Sequence, residues 1–360
     1  MIHYSDALAQ TSTDTCDMPQ EQALKILATS PDSNAHDSSW QASLQQVIRK
    51  PSELLEILQL SPKQVDLDPS QLNFPLRVPR EYVAKMMPGE ASDPLLLQIL
   101  PSQQEQENHP GYLDDPVGDL AKNPIPGLIH KYTSRVLLII NGSCAIHCRY
   151  CFRRHFPYDE HKPSKVRWQQ ALDYISSHPE INEVILSGGD PLTLSDSQLA
   201  WLTRAIDAIP HVSRLRIHSR TIAMISQRVC PALLEWITSL SIKVILVNHI
   251  NHANEIDTAF DKAMYCLQRA GVTLLNQAVL LKGINDTVEA QIALSERLFS
   301  AGVLPYYLNL LDKVQGAAHF DTPEAHASQL MQKLRCELPG FLVPQLVREV
   351  AGEPYKVPIT

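Results

Sequence analysis

Nothing in this sequence marks it for a nucleic acid or a lipid surface. Its 31 Lys and Arg are outnumbered by 39 Asp and Glu, for a formal net charge of -8, and no basic face emerges to draw a phosphate-rich partner. No uninterrupted apolar run is long enough to span a bilayer. The opening Met1-Ile2-His3-Tyr4-Ser5-Asp6 lacks the charged and apolar regions of a secretory leader. Seven cysteines form an odd set, so the sequence does not read as a disulfide framework. The reducing cytoplasm is the expected compartment, and neither nucleic acid nor membrane is expected as a partner.

What is present is enough apolar residue to fold. A chain of 360 residues with 44% apolar content can bury one large or two ordinary domains. Its most informative stretch is Cys144-Ala145-Ile146-His147-Cys148-Arg149-Tyr150-Cys151, three cysteines spaced C-x3-C-x2-C after the apolar run 136–140. Thiolates are soft ligands, and three on one tight loop can converge on one metal centre. A closed zinc site wants four protein ligands, so His147 or His155 would have to complete it. An iron–sulfur cube held by three cysteines leaves one iron open. This spacing is similar to that of the radical S-adenosylmethionine enzymes, whose cofactor chelates the open iron.

Residues 1–39 are polar and expected to be mobile. From Trp40 onward, apolar residues recur at helical spacing through Leu44, Val47 and Ile48 and again through Leu54, Leu55 and Leu58, with Pro51 suited to a first turn. Further helices are expected over 79–87 and 94–100. Residues 40–124 thus read as a helical N-terminal segment, with a boundary to the main domain within 105–130.

Beyond it, β-rich runs at 135–141, 183–187, 214–218, 243–248, 273–279 and 305–310 alternate with helical patterns at 168–177, 196–209, 231–240, 256–270 and 287–301. Strands that are apolar on nearly every residue, alternating with helices, indicate a parallel sheet covered by helices. The expected fold is α/β, a partial (βα)6 TIM-like barrel over 125–310, followed by a C-terminal segment, 311–360. Chemistry in such folds gathers at the carboxyl ends of the strands. The cysteine loop follows the first of these strands, Ser187-Gly188-Gly189-Asp190-Pro191 the second, and His218-Ser219-Arg220-Thr221 the third.

Each feature has an ordinary alternative. The Gly188-Gly189 turn can be only a turn with Asp190 as a loop anchor, although glycines also let backbone approach a ligand. Arg153 and Arg154 can be a solvated pair or can supply a fork for a carboxylate. His249 and His252 can simply hydrogen-bond within the barrel mouth. Cys16, Cys230, Cys266 and Cys336 read as buried structural thiols.

Taken together, Cys144 to Cys151 with Phe152-Arg153-Arg154, Leu186-Ser187-Gly188-Gly189-Asp190-Pro191-Leu192, Arg216-Ile217-His218-Ser219-Arg220, Leu281-Lys282-Gly283-Ile284-Asn285-Asp286 and Pro305-Tyr306-Tyr307 resemble the lysine 2,3-aminomutase family. The resemblance runs from about Ile125 onward. It is greatest to the shorter branch that makes (R)-β-lysine for elongation factor P, on the helical opening 40–60 and the run 347–356. It implies a radical S-adenosylmethionine isomerase with a [4Fe–4S] cluster, S-adenosylmethionine and pyridoxal 5′-phosphate. Removing an unactivated hydrogen is beyond ordinary acid–base groups, so the cofactors carry the difficult chemistry while the protein positions and shields them.

The resemblance also implies roles. Cys144, Cys148 and Cys151 match the cluster ligands, and Ser187, Gly188, Gly189 and Asp190 the S-adenosylmethionine loop. Lys356 matches the lysine that carries pyridoxal phosphate, although its lead-in Ala351-Gly352-Glu353-Pro354-Tyr355 is not glycine-rich as in the free-lysine enzymes. Lys131 and Tyr132 match an Arg-Tyr pair near that cofactor, the lysine keeping the charge and losing the fork. Arg153 matches the partner of the substrate α-carboxylate. Asp312 and Glu349 match two acids that hold the distal ammonium, Glu349 replacing an aspartate. Two acids there favour a cationic side chain and repel glutamate. Expected partners are L-lysine, an electron donor such as flavodoxin or ferredoxin, and a functional link to elongation factor P and its ligase; a homo-oligomer is compatible. From a different class, a zinc-stabilised binding module without catalysis remains the competing reading.

Overall fold

The computed structural model describes residues 36–68, 70, 74–158 and 164–360. The expectation for residues 1–35, Cys16 included, falls outside them. The N-terminal segment contributes helices α1 (His36–Gln45), α2 (Pro51–Ile57) and α3 (Arg80–Val83). Pro51 occupies the first turn of α2, where its missing N–H costs nothing. Leu54 and Leu55 turn inward, and they share one core with Trp40, Ile48 and the barrel's own Val184, Leu215 and Leu246. Each such fully buried side chain contributes roughly 1.5–3 kcal/mol.

Nine strands follow: β1 (Leu128–Tyr132), β2 (Arg135–Asn141), β3 (Glu183–Gly188), β4 (Arg214–Ser219), β5 (Lys243–His249), β6 (Thr273–Val279), β7 (Leu304–Asn309), β8 (Gln345–Arg348) and β9 (Val357–Pro358). They form one sheet in chain order. β2 through β8 are parallel, each to the next, and β1 and β9 add antiparallel edges. The order is linear with β1 and β9 at its ends, so the barrel is partial. β3 is buried along its whole length, as a strand covered on both faces must be.

The intervening helices are α4 (Lys165–Ser176), α5 (Asp196–Asp207), α6 (Thr221–Met224), α7 (Pro231–Thr238), α8 (Thr258–Arg269), α9 (Val288–Ser300) and, in the C-terminal segment, α10 (Glu324–Glu337). Their starts are set locally. Ser195 and Gln198 form a reciprocal capping box on α5, while Asp257 and Thr287 cap α8 and α9. α8 buries Phe260, Ala263, Met264 and Leu267 on one face, at the spacing that an amphipathic helix requires.

Two expected helices differ. That over 79–87 is helical only at Arg80–Val83, and 94–100 forms turns. In the latter, Asp93 Oδ1 accepts from the backbone of both Leu95 and Leu96, the i→i−4 bonds Leu97 to Asp93 and Leu100 to Leu96 are not consecutive, and Pro101 ends the run. Leu95, Leu96, Ile99 and Leu100 are all buried, so their apolar spacing reflects burial rather than a helix face. β1, β8 and β9 were not expected; β8 extends the parallel sheet beyond β7. Among the described residues no helix is long and apolar enough to cross a membrane. Cys230 is buried, but Cys266 is part-buried and Cys336 exposed, so the buried-thiol expectation fails for Cys336 on the outer side of α10.

Candidate active site

The βα loops at the carboxyl ends of the strands enclose a cavity of about 560 Å³. Every residue to which the resemblance gives a role lines it: Cys144, Cys148 and Cys151, then Ser187, Gly188, Gly189 and Asp190, then Lys131, Tyr132, Arg153, Asp312, Glu349 and Lys356; His155 and His252 do not.

The cysteine loop leaves β2 and is clamped from the N-terminal segment. His147 N–H donates to the Arg77 carbonyl (3.0 Å) and Arg149 N–H to the Gln98 carbonyl (2.9 Å). Glu105 receives Arg149 Nε at 2.7 Å and Arg154 Nη2 at 2.6 Å. These groups are buried on both sides, so Arg154 is a structural clamp and not a solvated cation. Burial, then the charges of Cys151, Asp190 and Cys148, pushes the Cys144 thiol well up. Burial, with Cys148 adding, pushes that of Cys151 up to about 11. Cys144 and Cys151 hold thiolates only against positive charge, which a metal centre supplies.

That donor set fits a cube better than zinc. Among the described residues no group of three His, Cys, Asp or Glu side chains could hold a single metal ion, a requirement of tetrahedral zinc but not of a cluster whose irons take separate thiolates. The two candidate fourth ligands are engaged elsewhere. His147 Nδ1 lies 2.8 Å from the Pro75 carbonyl, with the ring stacked on Phe74, and His155 Nε2 lies 3.2 Å from the Gln315 carbonyl.

The glycine turn after β3 serves the cysteine loop directly. Gly188 has φ +125°, and a Cβ there would sit 2.3 Å from the Asn141 carbonyl oxygen; at Gly189 it would sit 2.3 Å from that of Ser143. Only glycine lets these backbones meet. Gly189 N–H then donates to Asn141 and Asp190 N–H to Ser143. The Asp190 carboxylate anchors the neighbouring loop: it accepts from Ser219 Oγ (2.8 Å) and from the N–H groups of Arg220, Thr221 and Leu192. Burial raises its pKa despite these bonds.

At the other side of the cavity the charged groups are paired in a chain. Lys356 Nζ donates to Asn309 Oδ1 (3.0 Å) and lies 3.2 Å from Glu349 Oε2. Glu349 Oε1 accepts from Tyr132 OH at 2.8 Å, with Lys131 Nζ 3.6 Å away. Burial opposes ionising Glu349, but Lys356 and Lys131 outweigh it and hold its pKa below the usual range. Asp119, which the sequence reading passed over, bridges Lys131 (2.7 Å) and Arg153 Nε (3.0 Å). Arg153 Nη1 also donates to Ser187 Oγ. The available signal was weak: an acid in a proline- and glycine-bearing loop just before the strand that carries Lys131.

Asp312 stands apart. Among the described residues no hydrogen bond or ion pair reaches its carboxylate, and burial pushes its pKa up to about 6, partly opposed by Lys356 and reinforced by Glu349 and Asp119. His218 and His249 have buried Nε2 atoms without partners. Burial, with nearby cations, keeps both rings neutral, His249 down to about 3. His252 instead accepts from Asn254 N–H and caps a short turn. A cavity lined by an unpaired acid, orphaned imidazole nitrogens and a paired lysine amine is built to receive polar ligands.

A Radical SAM superfamily model matches residues 138–290, from within β2 into α9, which defines the class as a radical S-adenosylmethionine enzyme. The chain is 48% identical over 322 residues to the L-lysine 2,3-aminomutase of Escherichia coli (strain K12), covering 89% of this chain and 94% of that protein. It is 44% identical over 340 residues to the protein of that name from Haemophilus influenzae, covering 94% and 98%, and 37% identical over 280 residues to that of Clostridium subterminale, covering 77% and 67%. The chain belongs to the L-lysine 2,3-aminomutase family and is an isomerase, with a [4Fe–4S] cluster, S-adenosylmethionine and pyridoxal 5′-phosphate as cofactors. The non-catalytic zinc module is thereby set aside.

Proposed function

We propose that this enzyme converts L-lysine to (R)-β-lysine by moving the amino group from carbon 2 to carbon 3, and that the product serves the β-lysylation of elongation factor P. The observation that carries the substrate is Asp312, an acid in the cavity wall whose carboxylate has no hydrogen bond or ion pair among the described residues, while Lys131, Arg153, Glu349 and Lys356 are all paired. A buried carboxylate is costly alone and favourable with a cation, so the distal ammonium of lysine suits it. A glutamate side chain would be repelled by the same group.

When bound, the cluster with S-adenosylmethionine supplies a radical able to take an unactivated hydrogen, and pyridoxal phosphate supplies a covalent hold on the amino nitrogen. Cys144, Cys148 and Cys151 hold the cluster in this reading, with Ser187, Gly188 and Gly189 lining the adjoining S-adenosylmethionine site and Asp190 keeping that loop in place. Lys356 carries pyridoxal phosphate, with Lys131 and Tyr132 beside it. Arg153, fixed by Asp119, turns its remaining Nη2 toward the substrate α-carboxylate. Glu349 is held by Lys356 and Tyr132, so it would join Asp312 on the ammonium only if Lys356 turned away from it. The barrel loops and the C-terminal segment, 311–360, keep water from the site.

A low-potential donor such as flavodoxin or ferredoxin and a cytoplasmic location belong to the same reading. Anaerobic incubation of the reconstituted enzyme with labelled L-lysine, followed by chiral chromatography, is expected to yield (R)-β-lysine. Absence of β-lysine, or turnover of another amino acid in preference, would overturn the assignment. Elongation factor P that remains β-lysylated in cells lacking this enzyme would sever the second half of the proposal.

A further inference from the structure

Behind the cysteine loop lies a buried polar network to which neither the family resemblance nor the proposed substrate contacts give a role. We infer that Arg220 is a positioning residue that sets the reduction potential of the iron–sulfur cluster through Cys148. The inference rests on the reading that Cys144, Cys148 and Cys151 hold a [4Fe–4S] cluster.

Arg220 follows β4 and opens α6. Its backbone is fixed, because its own N–H and that of Thr221 both donate to Asp190. Its guanidinium is almost wholly buried. Nη2 donates to Gln98 Oε1 (2.7 Å), Glu255 Oε2 (3.0 Å) and Tyr82 OH (3.1 Å). Nη1 donates to Cys148 Sγ at 2.8 Å and to Tyr150 OH. The supports are themselves held. Asn251 Nδ2 donates to Gln98 Oε1 and Tyr150 OH, and Glu255 Oε1 accepts from the N–H groups of Asn251 and His252. A guanidinium needed only as a counter-ion to Glu255 would not have to direct its other nitrogen at a sulfur.

A hydrogen bond from a cation to a ligating thiolate draws electron density from the sulfur and stabilises the cluster after it has gained an electron. Arg220 therefore raises the potential, and Glu255, bonded to the same guanidinium, moderates that effect. The two residues have opposite signs. A purely structural network carries no such signature.

The test is an anaerobic redox titration of the full-length holoenzyme, without S-adenosylmethionine or lysine, followed by electron paramagnetic resonance of the reduced cluster. Iron and sulfide content and circular dichroism are measured in parallel. Arg220→Gln is expected to shift the midpoint to more negative potential and Glu255→Gln to less negative potential, with Arg220→Lys between wild type and Arg220→Gln. Unmoved midpoints at full iron content overturn the inference. If Arg220→Gln alone fails to retain the cluster, Glu255→Gln decides: an upward shift supports the tuning role and an unchanged midpoint rejects it. Loss of the cluster in both variants also rejects it, since the network would then be structural. Wild-type protein without a reducible cluster would instead defeat the cluster reading itself, so the two failures are distinguishable.

Discussion

Replacing Asp312 with Asn removes a charge and almost no volume, so its effects report the carboxylate alone. Burial raises the pKa of Asp312 from 3.8 to about 6. Because this acid is raised, the folded state binds its proton more tightly than the unfolded chain. The contribution of this one carboxyl to stability is therefore fully present below pH 4 and is lost as pH rises to 6, about 3 kcal/mol at 1.36 kcal/mol per unit. A substrate ammonium reverses that balance by pairing with the ionised form. In the wild type, a proton and lysine compete for one carboxylate, so apparent lysine affinity is constant above pH 6. Below it, affinity weakens about tenfold per unit, or about 1.4 kcal/mol. Asp312→Asn loses a charge-assisted bond worth roughly 1.5–3 kcal/mol, a rise in KM of about 10- to 150-fold, and with it the pH dependence in that window. Initial rates at varied lysine between pH 5 and 8, in wild type and variant, measure both effects. A variant with unchanged KM, or one that keeps the wild-type decline below pH 6, would refute the assignment of Asp312 to the ammonium.

Three further perturbations address the rest of the cavity. Borohydride reduction with pyridoxal phosphate followed by peptide mapping is expected to place the pyridoxyl group on Lys356 and to find none in Lys356→Ala; a label on another lysine removes Lys356 from its role. Gly189→Ala puts a methyl 2.3 Å from the Ser143 carbonyl, which forces the turn away from the cysteine loop; the expected result is a loss of several kcal/mol of stability and of most bound iron, and normal iron loading would show that the loop accommodates it. Glu105→Gln leaves Arg149 and Arg154 as buried cations without a counter-charge, a cost of roughly 3–5 kcal/mol, read as a lower unfolding midpoint and faster iron loss to chelators; an unchanged midpoint would show the clamp to be dispensable.

The sheet was legible where each strand is apolar on nearly every residue. Residues 135–141 and 183–187 are such runs, and the expected β-runs and the helices between them match observed elements. β1 and β8 escaped because Leu128–Tyr132 alternates into polar residues and Gln345–Arg348 is only four residues long. The false helix at 94–100 shows the converse: four buried aliphatics mimic a helical stripe when every side of a turn is covered. Among the site residues, the three cysteines and the Gly188-Gly189 turn stood out by type and spacing, while Lys356, Asp312 and Glu349 were marked only by the family resemblance, and the cavity gathers them all. Their partners did not stand out. Asp119 meets Arg153 across 34 positions of sequence and Glu105 meets Arg149 across 44, and nothing local distinguishes such an acid from a solvated one.

The clamp on the cysteine loop is shared out along the chain. The Gly316 carbonyl takes Arg154 and Phe320 packs on Tyr150 from beyond β7, while the polar groups from Arg77 through Gln98 and Glu105 to Arg220 and Glu255 all precede it. Asp312, Glu349 and Lys356 arrive afterwards. The C-terminal segment that brings these three to the cavity therefore also supports the cysteine loop on its opposite side. Loosening that segment is expected to disturb both walls of the cavity together.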